Sequence, residues 1–300
     1  MLRLPKNRWS EASVVMATYR NPVGLEKTLN GLLKQDYSAS FEIIVVNDGS
    51  PDNTREMLDS KFGKSPRIKI IHFEKNLGVC RARNAGIRVA QYPIVINMDH
   101  DCIPEKDWLK KMVAGFDSEK VGVVSAYGGF GGTSTGFRKE LLEKVGGYDE
   151  EYRYYREDTD LTFKIMDLGY DFKLVKSNYL HDHEEVKPKG FQQFFRHVLK
   201  RLQYHQNDVL LWKKHPTRVC AEFLHVKFGF LVDPRTDFAV ATGLWQKNGK
   251  FGLSSPRGIR FVENRSLFHA FVIVLGGLAY VVAVKFSRLI GSIKFKKLLL

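Results

Sequence analysis

The chain has 300 residues, 44% of them hydrophobic, so it can form one large or two small globular domains and is not a disordered chain. Its net charge of +14 is unevenly distributed. Residues 1–184 contain 27 basic and 27 acidic side chains, whereas residues 185–300 contain 20 basic and 6 acidic ones. We therefore predict a neutral domain followed by a basic region whose partner is anionic, such as a membrane surface, a nucleic acid or a phosphorylated lipid.

Cysteine use and the first residues give two further expectations. Cys80, Cys102 and Cys220 are far apart and lack a paired metal-binding spacing, which favours a reducing compartment without a disulfide framework. Residues 1–6 lack the apolar core of a signal peptide.

In chain order, four short apolar runs alternate with segments of helical periodicity. The predicted strands are 12–18, 41–46, 68–72 and the run that begins at Ile94. This alternation predicts a mostly parallel, doubly wound α/β sheet. No Gly-x-Gly-x-x-Gly follows the first strand and no complete Walker-type Gly-x-x-x-x-Gly-Lys-Ser/Thr occurs, which disfavours dinucleotide and P-loop chemistry.

Carboxylates follow two of these strands directly. Asp48 comes after the second strand, and Asp99 and Asp101 come after the fourth. Ligands of open α/β sheets bind beyond the carboxyl ends of the strands. On an extended backbone Asp99 and Asp101 would point the same way and could hold a divalent cation that itself binds phosphate, with His100 pointing away. A plain strand-ending turn rich in Asp is the alternative interpretation.

Seven short motifs occur in a fixed order over residues 12–184. They are Val14–Asn21, Glu42–Ser50, Asn76–Gly78, Ala82–Gly86, Met98–Asp101, Gly146–Asp149 and Glu157–Leu161. Together they resemble the motifs of the inverting glycosyltransferases of family 2, which have the GT-A fold. The resemblance implies a GT-A catalytic domain over 1–184, with a nucleotide-sugar half at about 10–104 and an acceptor half at about 105–184.

The resemblance also implies a role for particular residues. Those implied to bind the nucleotide are Thr18, Tyr19, Arg20, Asp48, Asn76, Arg83 and Asp99. Asp99, Asp101 and His181 would hold Mn²⁺ or Mg²⁺. Asp158 would be the catalytic base, with Glu157 as a supporting residue.

The chemistry of sugar transfer is consistent with these roles. A cation takes up the charge that develops on the leaving phosphate, and a carboxylate accepts the proton of the acceptor hydroxyl, a step typically worth ~10²–10⁴-fold. An imidazole beside carboxylates favours Mn²⁺ over Mg²⁺. Simple alternatives stay open, because Asp158 and Asp160 can cap the helix that they begin, and His181 and His183 can cap a loop.

A glycine-rich segment at 128–136 lies between a predicted strand at 121–127 and a helix that begins near Arg138. Many relatives have a longer insertion here that faces the acceptor. The glycines suit a sugar-binding floor or a plain loop, and the acceptor stays open.

The basic region at 185–300 contains two segments that suit a membrane surface. Residues 191–202 have the pattern of a basic amphipathic helix, which a helix packed on the catalytic domain would share. Residues 267–284 are apolar but at the short limit for a span, since about 20 apolar residues cross a bilayer. Basic residues flank this segment on both sides, which favours a re-entrant or in-plane anchor: Arg257, Arg260 and Arg265, then Lys285, Arg288, Lys294, Lys296 and Lys297.

The sequence thus predicts a metal-dependent, inverting glycosyltransferase on the cytoplasmic face of a membrane, attached peripherally or by its C-terminal region. Its donor would be a nucleotide sugar and its acceptor a glycan or lipid-linked molecule. A nucleotidyltransferase is an alternative, but Thr18 to Pro22 is not the glycine-rich, basic phosphate loop that it needs. A protein that binds nucleic acid or another anionic surface would explain the basic region but would leave the four key aspartates without a task, and we predict no nucleic-acid partner.

Overall fold

A computed structural model describes residues 10–152, 154–182, 190–242, 244 and 267–300. Contacts divide the chain into two compact units, residues 1–183 and 184–300. Arg257, Arg260, Arg265 and His183, which the sequence analysis named, lie outside the described residues.

The first unit alternates strands and helices. Its first half contains β1 (Ala12–Thr18), α1 (Pro22–Leu33), β2 (Phe41–Asn47), α2 (Thr54–Phe62), β3 (Ile68–His72), α3 (Val79–Val89) and β4 (Ile94–Asn97). Its second half contains β5 (Cys102–Pro104), α4 (Trp108–Ala114), β6 (Val121–Ser125), β7 (Thr135–Arg138), α5 (Lys139–Val145), α6 (Glu157–Asp167), β8 (Asp171–Leu174) and β9 (Tyr179–His181). The four strands predicted before Asp99 are confirmed.

Seven strands form one sheet in the order β3-β2-β1-β4-β7-β6-β8. All neighbours are parallel except β7, which is antiparallel to both β4 and β6. The mostly parallel α/β sheet is therefore confirmed. Strands β2 and β4 are buried at every residue, because helices cover both faces of a parallel sheet, and a run of Val and Ile suits such a position.

The segment 121–138 differs from its prediction. The strand predicted at 121–127 ends at Ser125, and the segment predicted to be a loop up to residue 136 contains the start of β7. Strand β7 has four residues and includes Gly136, so its sequence lacks an apolar run. A side chain at 136 would come 3.2 Å from Ile96 Cγ1 on β4, which explains why glycine occupies the middle of the sheet.

The second unit is mainly helical. It contains α7 (Gly190–Tyr204), α8 (Gln206–Lys214), α9 (Arg218–Leu224), the hairpin β10 (Val226–Lys227) and β11 (Leu231–Val232), α10 (Pro234–Thr242) and α11 (Leu267–Phe295). The predicted helix at 191–202 is confirmed by α7. The apolar segment named at 267–284 forms the first part of α11, which continues for eleven residues more. By length and composition Ala270–Phe295 could cross a membrane, a test that a core helix of a soluble protein also passes.

Candidate active site

An acidic turn follows β4 at the carboxyl edge of the sheet. Asp99, Asp101, Cys102 and His181 each place one ligand atom there, and these atoms lie within 4.8 Å of one another. The expectation of an extended backbone was wrong, since His100 and Asp101 form a turn. The ligand atoms of the two carboxylates nonetheless lie within 4.8 Å of each other.

His181 reaches this cluster through the small sheet of β5 and β9. In its antiparallel register Cys102 lies opposite His181, and the Asp182 N–H donates to the Asp101 carbonyl at 2.7 Å. The imidazole Nε2 is 3.3 Å from Asp101 Oδ1. This hydrogen bond raises the pKa of His181. This pairing could not be predicted from the sequence, since β5 and β9 have only three residues each.

The donor atoms of the cluster suit a hard divalent cation. Cys102 is fully buried, burial raises the pKa of its thiol, and the Thr133 hydroxyl donates to its sulfur at 3.4 Å. A neutral thiol is a poor ligand, because it is the thiolate that binds metals. Two carboxylates and one imidazole remain, a set that fits Mn²⁺ or Mg²⁺ better than a thiolate-preferring metal.

Arg83 of α3 joins this cluster to the start of α6. Its Nη2 is 2.9 Å from Asp99 Oδ1, its Nη1 is 2.9 Å from Asp158 Oδ1, and the same Nη1 is 3.5 Å from Glu157 Oε1. The guanidinium is 7% exposed. A buried cation with these partners is stable only because the carboxylates compensate for its lost hydration. Arg83 was predicted to bind the nucleotide, and the sequence did not indicate that it contacts three carboxylates.

The two acidic residues at the start of α6 differ in their surroundings. Asp158 Oδ1 accepts hydrogen bonds from Arg83 and, at 2.9 Å, from the Tyr148 hydroxyl. Burial raises the pKa of Asp158, and Arg83 opposes that rise. Burial, with the charge of Asp158 next to it, raises the pKa of Glu157 to about 7. In the described part of the chain no donor reaches Glu157 Oε2. A carboxylate oxygen without a donor disfavours the charged form, which is consistent with the raised pKa.

Asp160 is engaged differently from Asp158. It is fully buried, accepts a hydrogen bond from the Tyr152 hydroxyl at 3.2 Å and lies 3.1 Å from Lys164 Nζ. These contacts connect α6 to the loop before it and to its own next turn. They fit the structural alternative that the sequence analysis left open for Asp160.

The glycine-rich segment lies against Asp158. Gly131 has φ +93°, and a side chain there would come 2.5 Å from the Asp158 carbonyl carbon. Gly132 has φ +108°, and a side chain there would come 2.7 Å from Cδ1 of the Tyr127 ring. Beside them Phe130 packs between Phe163 and Phe172, at ring distances of 5.1 and 4.9 Å. Only glycine permits the segment to approach the start of α6 this closely.

Four of the seven residues predicted to bind the nucleotide lie at the ends of β1 and β2: Thr18, Tyr19, Arg20 and Asp48. Asn76 follows β3, Arg83 lies on α3 and Asp99 follows β4. Both oxygens of Asp48 accept backbone N–H bonds, from Leu77 at 2.7 Å and Gly78 at 2.9 Å. Burial raises the pKa of Asp48, and these two N–H groups oppose the rise. Asp48 therefore fixes the loop that contains Asn76, a function that the sequence did not indicate.

The chain after β1 forms a sharp turn. Thr18 is buried and its hydroxyl donates to the Arg20 carbonyl at 3.3 Å, while the Arg20 N–H donates to Ser50 Oγ at 2.9 Å. Arg20 is in the left-handed region at φ 65°, and its guanidinium lies 5.1 Å from the centre of the Tyr19 ring. Because β1 pairs with both β2 and β4, these residues share one sheet edge with the acidic turn.

The fold is that of a GT-A glycosyltransferase, with the acidic cluster at the carboxyl edge of its sheet. Residues 13–183 match the family model described as glycosyl transferase family 2, and the chain belongs to this family. The predicted family, fold class and enzyme class are confirmed, and the nucleotidyltransferase alternative is set aside.

Two relatives illustrate the range of similarity. Glycosyltransferase AglE of Haloferax volcanii is 30% identical over 230 residues, which cover 72% of this chain and 70% of AglE. Poly-beta-1,6-N-acetyl-D-glucosamine synthase of Staphylococcus epidermidis is 27% identical over 197 residues, which cover 54% of this chain and 47% of the synthase. The chain therefore spans about half the length of that synthase.

Two solved structures share the fold. Mannosyltransferase PcManGT of Pyrobaculum calidifontis, in complex with GDP-Man and Mn²⁺, has a TM-score of 0.60 at 20% identity, over 93% of this chain and 86% of that one. TarS of S. aureus, in complex with UDP-GlcNAc, has a TM-score of 0.51 at 18% identity, over 96% of this chain and 92% of that one.

Proposed function

We propose that the protein is a metal-dependent, inverting glycosyltransferase whose acceptor is a membrane-associated glycan or lipid-linked molecule. One observation carries the proposal: Arg83 connects an oxygen-rich candidate metal cluster at the end of β4 to a buried carboxylate at the start of α6. Donor activation and acceptor activation need these two sites next to each other.

On the donor side, Asp99, Asp101 and His181 would hold Mn²⁺ or Mg²⁺. When bound, the cation would neutralise charge on the leaving diphosphate. Thr18, Tyr19, Arg20, Asp48 and Asn76 would bind the nucleotide at the ends of β1, β2 and β3. Mn²⁺ and GDP-Man in PcManGT, and UDP-GlcNAc in TarS, support a nucleotide diphosphate sugar as the donor class.

On the acceptor side, Asp158 would accept the proton of the attacking hydroxyl. The acceptor oxygen forms a bond to the anomeric carbon while the bond from that carbon to the diphosphate oxygen breaks, and the proton moves to the Asp158 carboxylate. A single displacement of this kind inverts the anomeric configuration. Arg83 would fix the orientation of Asp158, and Glu157 would support it at the start of α6.

The acceptor and its place are inferred from the relatives and from the second unit. The name of the poly-N-acetylglucosamine synthase supports a growing glycan as the acceptor class. The basic second unit and the exposed apolar side chains of α11 support a position at the cytoplasmic face of a membrane. Nucleic acid is not a partner in this proposal.

The first test concerns the metal and the donor. Incubated with UDP-, GDP- and dTDP-sugars and Mn²⁺, the purified protein should release nucleoside diphosphate from at least one donor. Asp101→Asn keeps the side chain's size but removes a charge, so donor affinity should fall at least about tenfold and lose its dependence on Mn²⁺. Calorimetric titration at several Mn²⁺ concentrations measures both effects.

Asp117→Asn is the control, because Asp117 is an exposed carboxylate of the same unit that pairs with Lys173. It should bind the donor as the wild type does. If Asp101→Asn binds the donor as tightly as the wild type at every Mn²⁺ concentration, the metal assignment is wrong.

The second test concerns the base. Asp158→Asn should leave donor affinity nearly unchanged and lower the turnover number at least about 10²-fold, because proton acceptance matters only while the acceptor attacks. Steady-state transfer kinetics and donor titration separate the two. Equal losses of binding and turnover, together with a lower melting temperature, would identify Asp158 as a structural cap instead.

A further inference from the structure

Helix α11 has two opposite faces. Large apolar side chains that are at least 40% exposed recur along it at spacings of three and four residues, and we call them the apolar stripe: Phe268, Phe271, Val272, Leu275, Leu278, Val282, Phe286, Leu289, Ile290 and Ile293. At about 100° per residue they occupy roughly one third of the helix circumference. The stripe continues over nearly the whole length of α11.

The opposite face of α11 packs on the second unit. Arg288 lies 2.8 Å from Asp237 on α10 and 3.1 Å from Asp208 on α8, and all three side chains are at most 8% exposed. A side chain at Gly277 would come 2.5 Å from Thr242 Cγ2 on α10, and one at Gly291 would come 3.0 Å from the Cα of Gln206 on α8. Helices α8 and α10 therefore lie against α11 from residue 277 to residue 291.

This packing is incompatible with α11 as a membrane span. Helices α8 and α10 have nine residues each and carry charged side chains such as Lys213 and Arg235, so they cannot follow α11 into hydrocarbon. The longest stretch of α11 outside this contact is the ten residues before Gly277. They measure about 15 Å, half of the ~30 Å that a span requires.

Charge identifies the surface that covers the stripe. The second unit has exposed basic side chains in its described part, among them Arg196, Lys200 and Arg201 on α7. Lys285 and Arg288, which the sequence suggested as a basic flank, instead pair with Asp237 and Asp208. An anionic leaflet complements the remaining basic charge, whereas a second copy of the chain would bring two equally basic units together.

We propose that the apolar stripe of α11 lies in the plane of an anionic membrane, at the boundary between headgroups and acyl chains, and does not cross it. This inference rests on the proposed membrane association and selects the in-plane form of it. Such a helix buries its apolar face by about 5–10 Å and binds more strongly as anionic lipid increases.

Vesicle flotation tests the surface. The full chain should float with vesicles of phosphatidylcholine and phosphatidylglycerol and bind pure phosphatidylcholine at least about tenfold more weakly. Phe271→Gln, Val282→Gln and Phe286→Gln together should lower binding to the anionic vesicles at least about tenfold, since the three side chains are exposed and Gln favours helix. The matched control is Val89→Gln with Leu174→Gln, which removes exposed apolar groups from the first unit and should bind as the wild type does.

Accessibility distinguishes an in-plane helix from a span. The three native cysteines are buried, so single cysteines can be introduced at Leu267 and at Lys294, near the two ends of α11. With vesicle-bound protein, a membrane-impermeant maleimide added outside should label both. The inference is overturned if the full chain stays in solution, if the triple variant floats like the wild type, or if one end is protected. Donor hydrolysis is measured in parallel, so a failure of the proposed reaction is seen separately.

A second inference concerns Tyr148, which the resemblance included in a motif but gave no role. Its backbone is clamped to α3, because Asn84 Nδ2 donates to the Tyr148 carbonyl and the Tyr148 N–H donates to Asn84 Oδ1, both at 2.8 Å. Gly147 before it has φ +70°, and a side chain there would come 2.6 Å from Asn84 Oδ1. The turn therefore requires glycine, and the two hydrogen bonds to Asn84 fix the position of the Tyr148 backbone.

The hydroxyl of Tyr148 has a defined direction. The Asn97 side-chain amide at the end of β4 donates to it, so the phenol proton is free to be donated to Asp158 Oδ1 at 2.9 Å. Arg83 lies over the ring at 5.3 Å and donates to the same oxygen. Two donors on Oδ1 direct the acceptor's proton to Oδ2.

The geometry points to Tyr148 as a positioning residue that orients Asp158 and favours its charged form. This rests on the proposed role of Asp158 as the base. Among the described residues, the charged and titratable groups near Asp158 besides Tyr148 are Arg83 and Cys80 of α3, Asp99 after β4, Glu157 of α6 and Tyr127, and the substitution below changes none of them.

Tyr148→Phe should lower the turnover number about tenfold or more without changing donor affinity, since a hydrogen bond to a charged group is lost. The acid limb of the pH profile of kcat/KM should move to higher pH, because the carboxylate loses a donor. Tyr152→Phe is the matched control: it also removes a buried hydroxyl, but one that contacts Asp160 at 3.2 Å, and it should leave the acid limb in place.

The two roles can fail separately. An unmoved acid limb in Tyr148→Phe, or an equal movement in both variants, overturns the positioning role. If Asp158→Asn keeps its turnover, the base assignment itself fails, and Tyr148 then has nothing to position.

Discussion

The buried guanidinium of Arg83 is the interaction on which the site depends. Asp99 comes from the end of β4, whereas Glu157 and Asp158 begin α6, and without a cation between them these carboxylates would repel one another, most strongly at the buried Glu157. Helix α3 places the guanidinium at all three. Its planar fork reaches Asp99 through Nη2 and Asp158 through Nη1, a fixed separation that the single nitrogen of a lysine lacks. The distance between the candidate metal cluster and the candidate base is thus fixed by one side chain.

Close backbone approach supports this arrangement. Gly86 lets α3 pack on β1, since a side chain there would come 2.5 Å from Val15 Cγ1, and so brings Arg83 down to the sheet edge. Gly131 permits its loop to contact α6 at Asp158, and Gly147 permits its own loop to contact α3. The glycines and the arginine act together. The glycines allow the elements to pack closely, and Arg83 neutralises the carboxylates that this packing brings close to one another.

The sequence predicted what depends on local pattern and missed what depends on pairing across the chain. Runs of Val and Ile identified β1 to β4, and the motif order identified the carboxylates. Strand β7 was missed because Gly136 interrupts its apolar pattern where β4 needs a small neighbour. The pairing of β5 with β9 was missed because each strand has only three residues. Asp48 was predicted to bind a ligand, but its bonds to Leu77 and Gly78 can be seen only when residues far apart in sequence come together.

The second unit also contains contacts between distant residues that the sequence pattern does not reveal. Hydropathy indicated an apolar segment and its basic flank, but the pairing of Arg288 with Asp208 and Asp237 joins residues 80 and 51 positions apart. An arginine that a one-dimensional pattern assigns to a membrane flank is in fact the centre of a buried ion network. Breaking a buried pair of this kind typically costs about 3–5 kcal/mol, so we expect it to hold α11 on α8 and α10.

The central claim is that Asp99, Asp101 and His181 hold the cation that binds the donor diphosphate next to Asp158. Crystals grown with Mn²⁺ and a nucleoside diphosphate test it most directly, because anomalous scattering at the manganese edge distinguishes the ion from water and from lighter metals. We predict one strong peak, within coordination distance of Asp101 and His181 and of the diphosphate oxygens. A diphosphate bound at the ends of β1 and β2 with no manganese peak at the acidic turn, or with the peak elsewhere, would contradict the account.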